Sequence, residues 1–106
     1  MNIVNLLFSI LLSFFLLSNI SYASEKTKWF AKDCYKQTSM IIEAIGKKVT
    51  LGYKYSYYPL TREPKYNYYQ IKINVDYILP WGEKKKKLIT CQYDDEGNVM
   101  STAGID

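Results

Sequence analysis

The chain contains no histidine, so the commonest general base and the commonest metal ligand are both missing. It holds only two cysteines, Cys34 and Cys91, too few for a thiolate zinc site and better read as a bridge than as a nucleophile. Its five glycines form no phosphate-cradling loop. The carboxylates cluster at Asp94, Asp95 and Glu96 without the ligand pattern of a calcium loop, so they read as a solvated turn. Together these absences point away from an enzyme and imply no cofactor and no metal.

Long apolar runs are also scarce. The one that exists, Leu6–Leu17, lies in residues 1–23, which carry no charged side chain. Ser21-Tyr22-Ala23 places small residues at the −3 and −1 positions of a cleavage site. The run is too short for a span, and no stop-transfer pattern follows, so residues 1–23 read as a secretory signal peptide. Cleavage would leave 106 − 23 = 83 residues, 24–106, as a single domain with all of the net charge of +4. At that size an apolar core alone stabilises only marginally. The expected location is secreted, or periplasmic if the source is bacterial, and Cys34 and Cys91 would pair there. The bridge would close a loop of 91 − 34 + 1 = 58 residues, for which loop-closure entropy gives about 4 kcal/mol.

What the chain does have is strong patterning. From Lys28 to Ile45, Phe30, Cys34, Thr38, Ile41 and Ile45 recur at three- to four-residue spacing, widened by Trp29, Met40 and Ile42. Thr27 is a candidate cap, Gly46 follows as a C′ glycine would, and Lys47 and Lys48 suit the negative end of the helix dipole. Val49–Tyr58 alternates as a strand, with Val49, Leu51, Tyr53, Tyr55 and Tyr57 on one side. Pro59–Pro64 reads as a connection. Lys65–Leu79 alternates again, placing Tyr69, Ile71, Ile73, Val75, Tyr77 and Leu79 on one face, with a bulge expected at Tyr68-Tyr69.

Pro80-Trp81-Gly82 then breaks the pattern. Alternation resumes after Lys84–Lys87 with Ile89, Cys91 and Tyr93, and an acidic turn leads to a short tail that forms an edge strand or frays. The fold class is α+β, one amphipathic helix packed across an antiparallel sheet of three to five strands. Cys34 on the helix stripe and Cys91 on the inner strand face would point into the same layer.

Three features bear on function. Lys84–Lys87 is either a solvated arm that blocks edge-to-edge aggregation or a patch for acidic partners or membrane surfaces. With a secretory signal in place, nucleic acid is not expected as a partner. Outward tyrosines such as Tyr58 are interface candidates. Trp81 is either folded back onto its own hairpin or an exposed anchor for a partner.

A single helix followed by antiparallel strands, with Val75, Pro80-Trp81, Lys87-Leu88-Ile89 and Cys91 in register, resembles the C-terminal half of secreted cystatins. In that family the Pro-Trp turn is the second of two hairpin loops that, with the N-terminal segment, form a wedge. The wedge plugs the cleft of papain-like cysteine proteases. The nearest counterpart of the family's first loop is Lys48–Gly52, in which Lys replaces Gln and Thr replaces Val. Cys34 does not match the family's usual partner for the last cysteine. The resemblance therefore implies a cystatin-like thiol protease inhibitor, of a kind found in venom or saliva, with Pro80, Trp81, Gly52 and Val49 as protease-binding residues.

Topology offers a check. If Gly52 marks a turn, both turns share one end of the sheet; if Val49–Tyr58 is continuous and Thr61–Pro64 is the first turn, they lie at opposite ends. A one-disulfide domain with a basic, tyrosine-rich face equally suits an exported bacterial binding module, such as a periplasmic immunity protein that neutralises a toxin. In either reading the partner is a protein and the chain is a monomer. No stable membrane insertion is expected, because no mature segment sets a strongly apolar face against a basic polar one.

Overall fold

The computed structural model describes residues 25–105. The signal-peptide reading of 1–23 falls outside the described residues.

A helix, α1, runs over 25–44 and lies against one face of an antiparallel sheet. The strands are β1 (Thr50–Tyr57), β2 (Thr61–Glu63), β3 (Tyr68–Ile78), β4 (Lys84–Tyr93) and β5 (Val99–Ala103). Their order across the sheet is β1-β3-β4-β5, and β2 also pairs with β3. Because β4 occupies the other edge of β3, β1 and β2 share one edge and form a single interrupted strand. This is the α+β architecture read from the sequence, with five strands.

Helix α1 buries Phe30, Ala31, Cys34, Thr38 and Ile42, a stripe stepping mainly by four residues. Trp29 and Met40, expected to widen that stripe, point outward at 54% and 53% exposure, and Ile45 is outward too. Their phase explains this: the sheet covers only the stripe centred on Cys34 and Thr38, and these three lie at or beyond its margin. The helix already includes residues 25–27, so Thr27 is not its cap. Its C-terminus ends as expected. Gly46 takes a φ of 69°, its N–H donates to the Glu43 carbonyl, and the Lys47 N–H donates to the Ile42 carbonyl. This Schellman arrangement satisfies carbonyls the helix would otherwise leave unpaired.

The sheet contributes Ile71, Ile73, Val75 and Tyr77 from β3 and Ile89, Cys91 and Tyr93 from β4, all buried. Cys34 and Cys91 form the disulfide, with Cα atoms 5.8 Å apart, and it joins the middle of the helix to the last part of β4. At the helix start, Phe30 stacks on Tyr69 with centroids 5.4 Å apart and meets Tyr93 edge-on at 4.7 Å. Aromatic packing of this kind supplies the area that a short chain lacks in aliphatics.

Three strand expectations need correction. Residues 61–63, read as connection, form β2, because pairing with β3 resumes at Thr61↔Gln70 once Pro59, which has no N–H to give, has been passed. Tyr68-Tyr69 carries no bulge; β3 pairs with β4 without a break from Tyr69↔Tyr93 to Ile78↔Lys84. The bulge lies instead in β1, where Leu51 pairs with Tyr77 but Tyr55 pairs with Val75. Four steps along β1 thus match two along β3, and Gly52-Tyr53-Lys54 loops outward.

Candidate functional site

The β3–β4 connection is a tight turn. The Leu79 N–H donates to the Glu83 carbonyl and the Gly82 N–H to the Leu79 carbonyl, each at 2.8 Å. Gly82 adopts a φ of 89°, which a residue with a side chain rarely does. Pro80 and Trp81 form the tip, and both are exposed. The Trp81 indole N–H donates to Glu83 Oε2 at 2.9 Å, while 72% of the residue faces solvent. The ring is therefore not folded back onto its hairpin: the N–H alone is tied to it, and the ring is displayed.

The pair Thr50↔Ile78 sets what stands beside this turn. Val49 and the first residues of β1 lie at the same end of the sheet as Pro80 and Trp81, on the neighbouring strand. Val49 itself is half-buried against the core. Gly52 sits in the bulge rather than in a hairpin turn. A Cβ on Gly52 would stand 3.1 Å from the Asp76 Cβ, so the missing side chain lets β1 pass close to β3. From the helix, the Tyr35 hydroxyl donates to the Gly52 carbonyl at 2.9 Å, and its ring stacks on Tyr55 at 4.9 Å. Burial first, and then the neighbouring phenols Tyr57 and Tyr35, push the Tyr55 hydroxyl above its ordinary pKa. The bulge is thus anchored from below, and Tyr53 is left 97% exposed at its crest.

The first sheet turn after the helix, residues 64–67, lies at the opposite end, where Asn67 takes a φ of 52°. The Asp94–Asn98 turn is at that end too, since Tyr93 pairs with Val99. The continuous-edge version of the fold is therefore the one observed, apart from its bulge.

Positive charge gathers at this same end. Lys84–Lys87 lie within β4, paired with Ile78, Tyr77, Asp76 and Val75, so the run is part of a strand rather than a loop. Lys48 and Lys54 add exposed ammonium groups from the α1–β1 connection and the bulge. Lys47 is held: it donates to the Ile105 carbonyl at 2.7 Å and lies over the Tyr77 ring. On the face away from the helix, a shallow groove of about 370 Å³ runs from β1 across the end of β3 to the start of β4, lined by Gly52, Lys54, Asp76, Ile78 and Lys84 among others. At the far end Asp94 organises its own turn, accepting from the N–H groups of Glu96 and Asn98 at 2.9 Å each. The Asn98 N–H bond is the main cause that draws its carboxyl below the usual range.

Family models, curated proteins and solved structures yield no match.

Sequence reasoning named Pro80, Trp81, Gly52 and Val49, and all four stand at one end of the sheet. It missed Tyr53 as a member of this surface. The available signal was Gly52 itself, since a glycine inside a strand pattern often marks a bulge.

Proposed function

We propose that the protein is a secreted, non-enzymatic binding module that engages a protein partner through the end of the sheet carrying Trp81. The observation that carries this reading is the Trp81 indole, exposed at a hairpin tip while its N–H is fixed by Glu83. A ring held in place loses little entropy on binding, and displayed Trp residues commonly dominate binding energetics. The resemblance to cystatins supplies the target class, a papain-like cysteine protease inhibited by occlusion of its cleft. In this reading Pro80 and Trp81 enter the cleft, and the Gly52–Lys54 bulge makes the second contact.

The experiment is titration of papain with the oxidised, processed domain. The described core and the disulfide lie within residues 30–105, so the processed chain carries what holds that fold together. Inhibition at nanomolar to micromolar concentration supports the protease reading. Absence of inhibition with the disulfide intact overturns it.

The position of residues 64–67 favours a second reading. With that turn at the end away from Trp81, the domain presents one hairpin and a bulge rather than two hairpin turns. An exported module that neutralises another protein, such as a toxin, fits that surface without requiring the cystatin wedge. Binding to a toxin encoded beside this chain, with no effect on papain, would select it.

A further inference from the structure

We propose that the lysine-lined end of the sheet is also a peripheral docking surface for an anionic lipid bilayer, met end-on with Trp81 and Tyr53 leading. This goes beyond the protein-partner reading and does not depend on it.

The argument starts from the β4 register. Strand alternation puts Lys84 and Lys86, opposite Ile78 and Asp76, on the uncovered face of the sheet. Lys85 and Lys87, opposite Tyr77 and Val75, fall on the helix side. A protein cleft gripping either face would meet only half of the run. A planar surface approached along the strand axis meets the exposed Lys84, Lys85 and Lys86 together, with Lys48 and Lys54 beside them; Lys87 lies over the Tyr77 ring.

Among the described residues, the acids at this end are Glu43, Asp76 and Glu83, and the Glu83 carboxylate is already engaged by the indole. Most remaining acids, Asp33, Glu63, Asp94, Asp95 and Glu96 among them, belong to the other half of the molecule. Such polarity orients the domain in the field of a negative surface, basic end first.

The leading side chains suit the headgroup layer. Trp and Tyr favour the membrane–water interface because they pair an apolar ring with a polar atom. Trp81 and Tyr53 are the aromatic residues displayed at this end, and the indole N–H brings its own acceptor. The contact is peripheral. No helix among the described residues is long and apolar enough to cross a membrane.

The test uses the processed protein and a fluorescence readout. Trp29→Phe leaves Trp81 as the sole tryptophan of a chain that has two. Vesicles of phosphatidylcholine and phosphatidylglycerol in equal parts should shift its emission to the blue, and pure phosphatidylcholine should not. The shift should vanish near ~1 M salt, where the Debye length falls to about 3 Å. K84E/K86E should weaken partition by at least about twentyfold, given roughly fivefold for each lysine lost. K28E/K36E, on the outward side of the helix, should weaken it far less than K84E/K86E does. An unmoved Trp81 emission with anionic vesicles overturns the proposal, as does equal partition into both lipids. Loss of binding in K28E/K36E as large as in K84E/K86E also overturns it, by moving the contact to the helix. Papain inhibition without vesicle binding overturns the lipid surface alone and leaves the protein partner in place.

Discussion

The Tyr93 hydroxyl donates to Asp33 Oδ2 at 2.7 Å, tying the end of β4 to the residue beside Cys34 on the helix. The Cys34–Cys91 bridge is the next residue on the helix and two residues back on the strand, so helix and sheet are joined twice at nearly one level. Burial chiefly, and then the bond to Asp33, hold the Tyr93 phenol far above its ordinary pKa of 10.0. A raised folded-state value means that the contribution is fully present below pH 10 and is lost as pH rises beyond it. Tyr93→Phe should lower stability at neutral pH by about 1.5–2 kcal/mol, the lower part of the range for a bond to a charged group because Asp33 remains partly solvated. The same variant should flatten the alkaline limb of the stability profile. Denaturant melts at stepped pH, followed with tyrosinate absorbance, check both effects.

Reduction should be more damaging than any single surface substitution. The bridge spans 57 residues of sequence, and releasing it restores unfolded-state entropy of about 4 kcal/mol. In a domain this small, that is a large share of the whole stability. A Cys34→Ala/Cys91→Ala variant should melt at a clearly lower temperature than the oxidised protein and should match the reduced wild type.

Gly104 tests how β5 is held. Its φ is 104°, and an added Cβ would collide with the Leu88 carbonyl oxygen of the adjoining strand. Backbone cannot move aside as a flexible side chain can. Gly104→Ala should therefore cost on the order of 2 kcal/mol or more, from strain and clash together. Hydrogen exchange should show the loss first at Ser101 and Ala103, while β3 stays protected.

Much of this architecture is legible in the sequence because it rests on period. The helix stripe at Phe30, Cys34 and Thr38 and the β3 alternation from Ile71 to Tyr77 each satisfy one dominant rule, burial of one face. The disulfide follows from those two faces meeting. Where local backbone geometry competes with period, the sequence misleads. Leu51 and Tyr55 both point inward, as alternation requires, but the close passage of Gly52 past Asp76 inserts two extra residues and turns Tyr53 out to solvent. The lysine run hides the start of β4, because four like residues carry no alternation, yet Lys84–Lys87 pair residue by residue with β3 as an arm of the hairpin. At the site, residue type found Trp81, whereas register was needed to see which segments stand beside it.

Asp94 should give its turn a pH response. Its carboxyl is drawn below the ordinary 3.8, first by the Asn98 N–H, so its contribution is present above that value and fades as pH falls through the folded one. Amide exchange at Glu96 and Asn98 should quicken on acidification, before β3 and β4 respond. Asp94→Ala should show the quickened exchange at neutral pH.

Trp81 separates binding from folding. Because most of the ring is exposed, Trp81→Ala should leave the melting temperature nearly unchanged. The central claim is that this end of the sheet is the contact surface, and papain titration with three proteins tests it most directly: wild type, Trp81→Ala, and Tyr66→Ala from the turn at the other end. The account predicts inhibition by wild type and by Tyr66→Ala, and a loss in Trp81→Ala of at least ~2 kcal/mol, roughly thirtyfold in affinity. Inhibition untouched by Trp81→Ala, or abolished by Tyr66→Ala, would contradict it and place the contact at the opposite end.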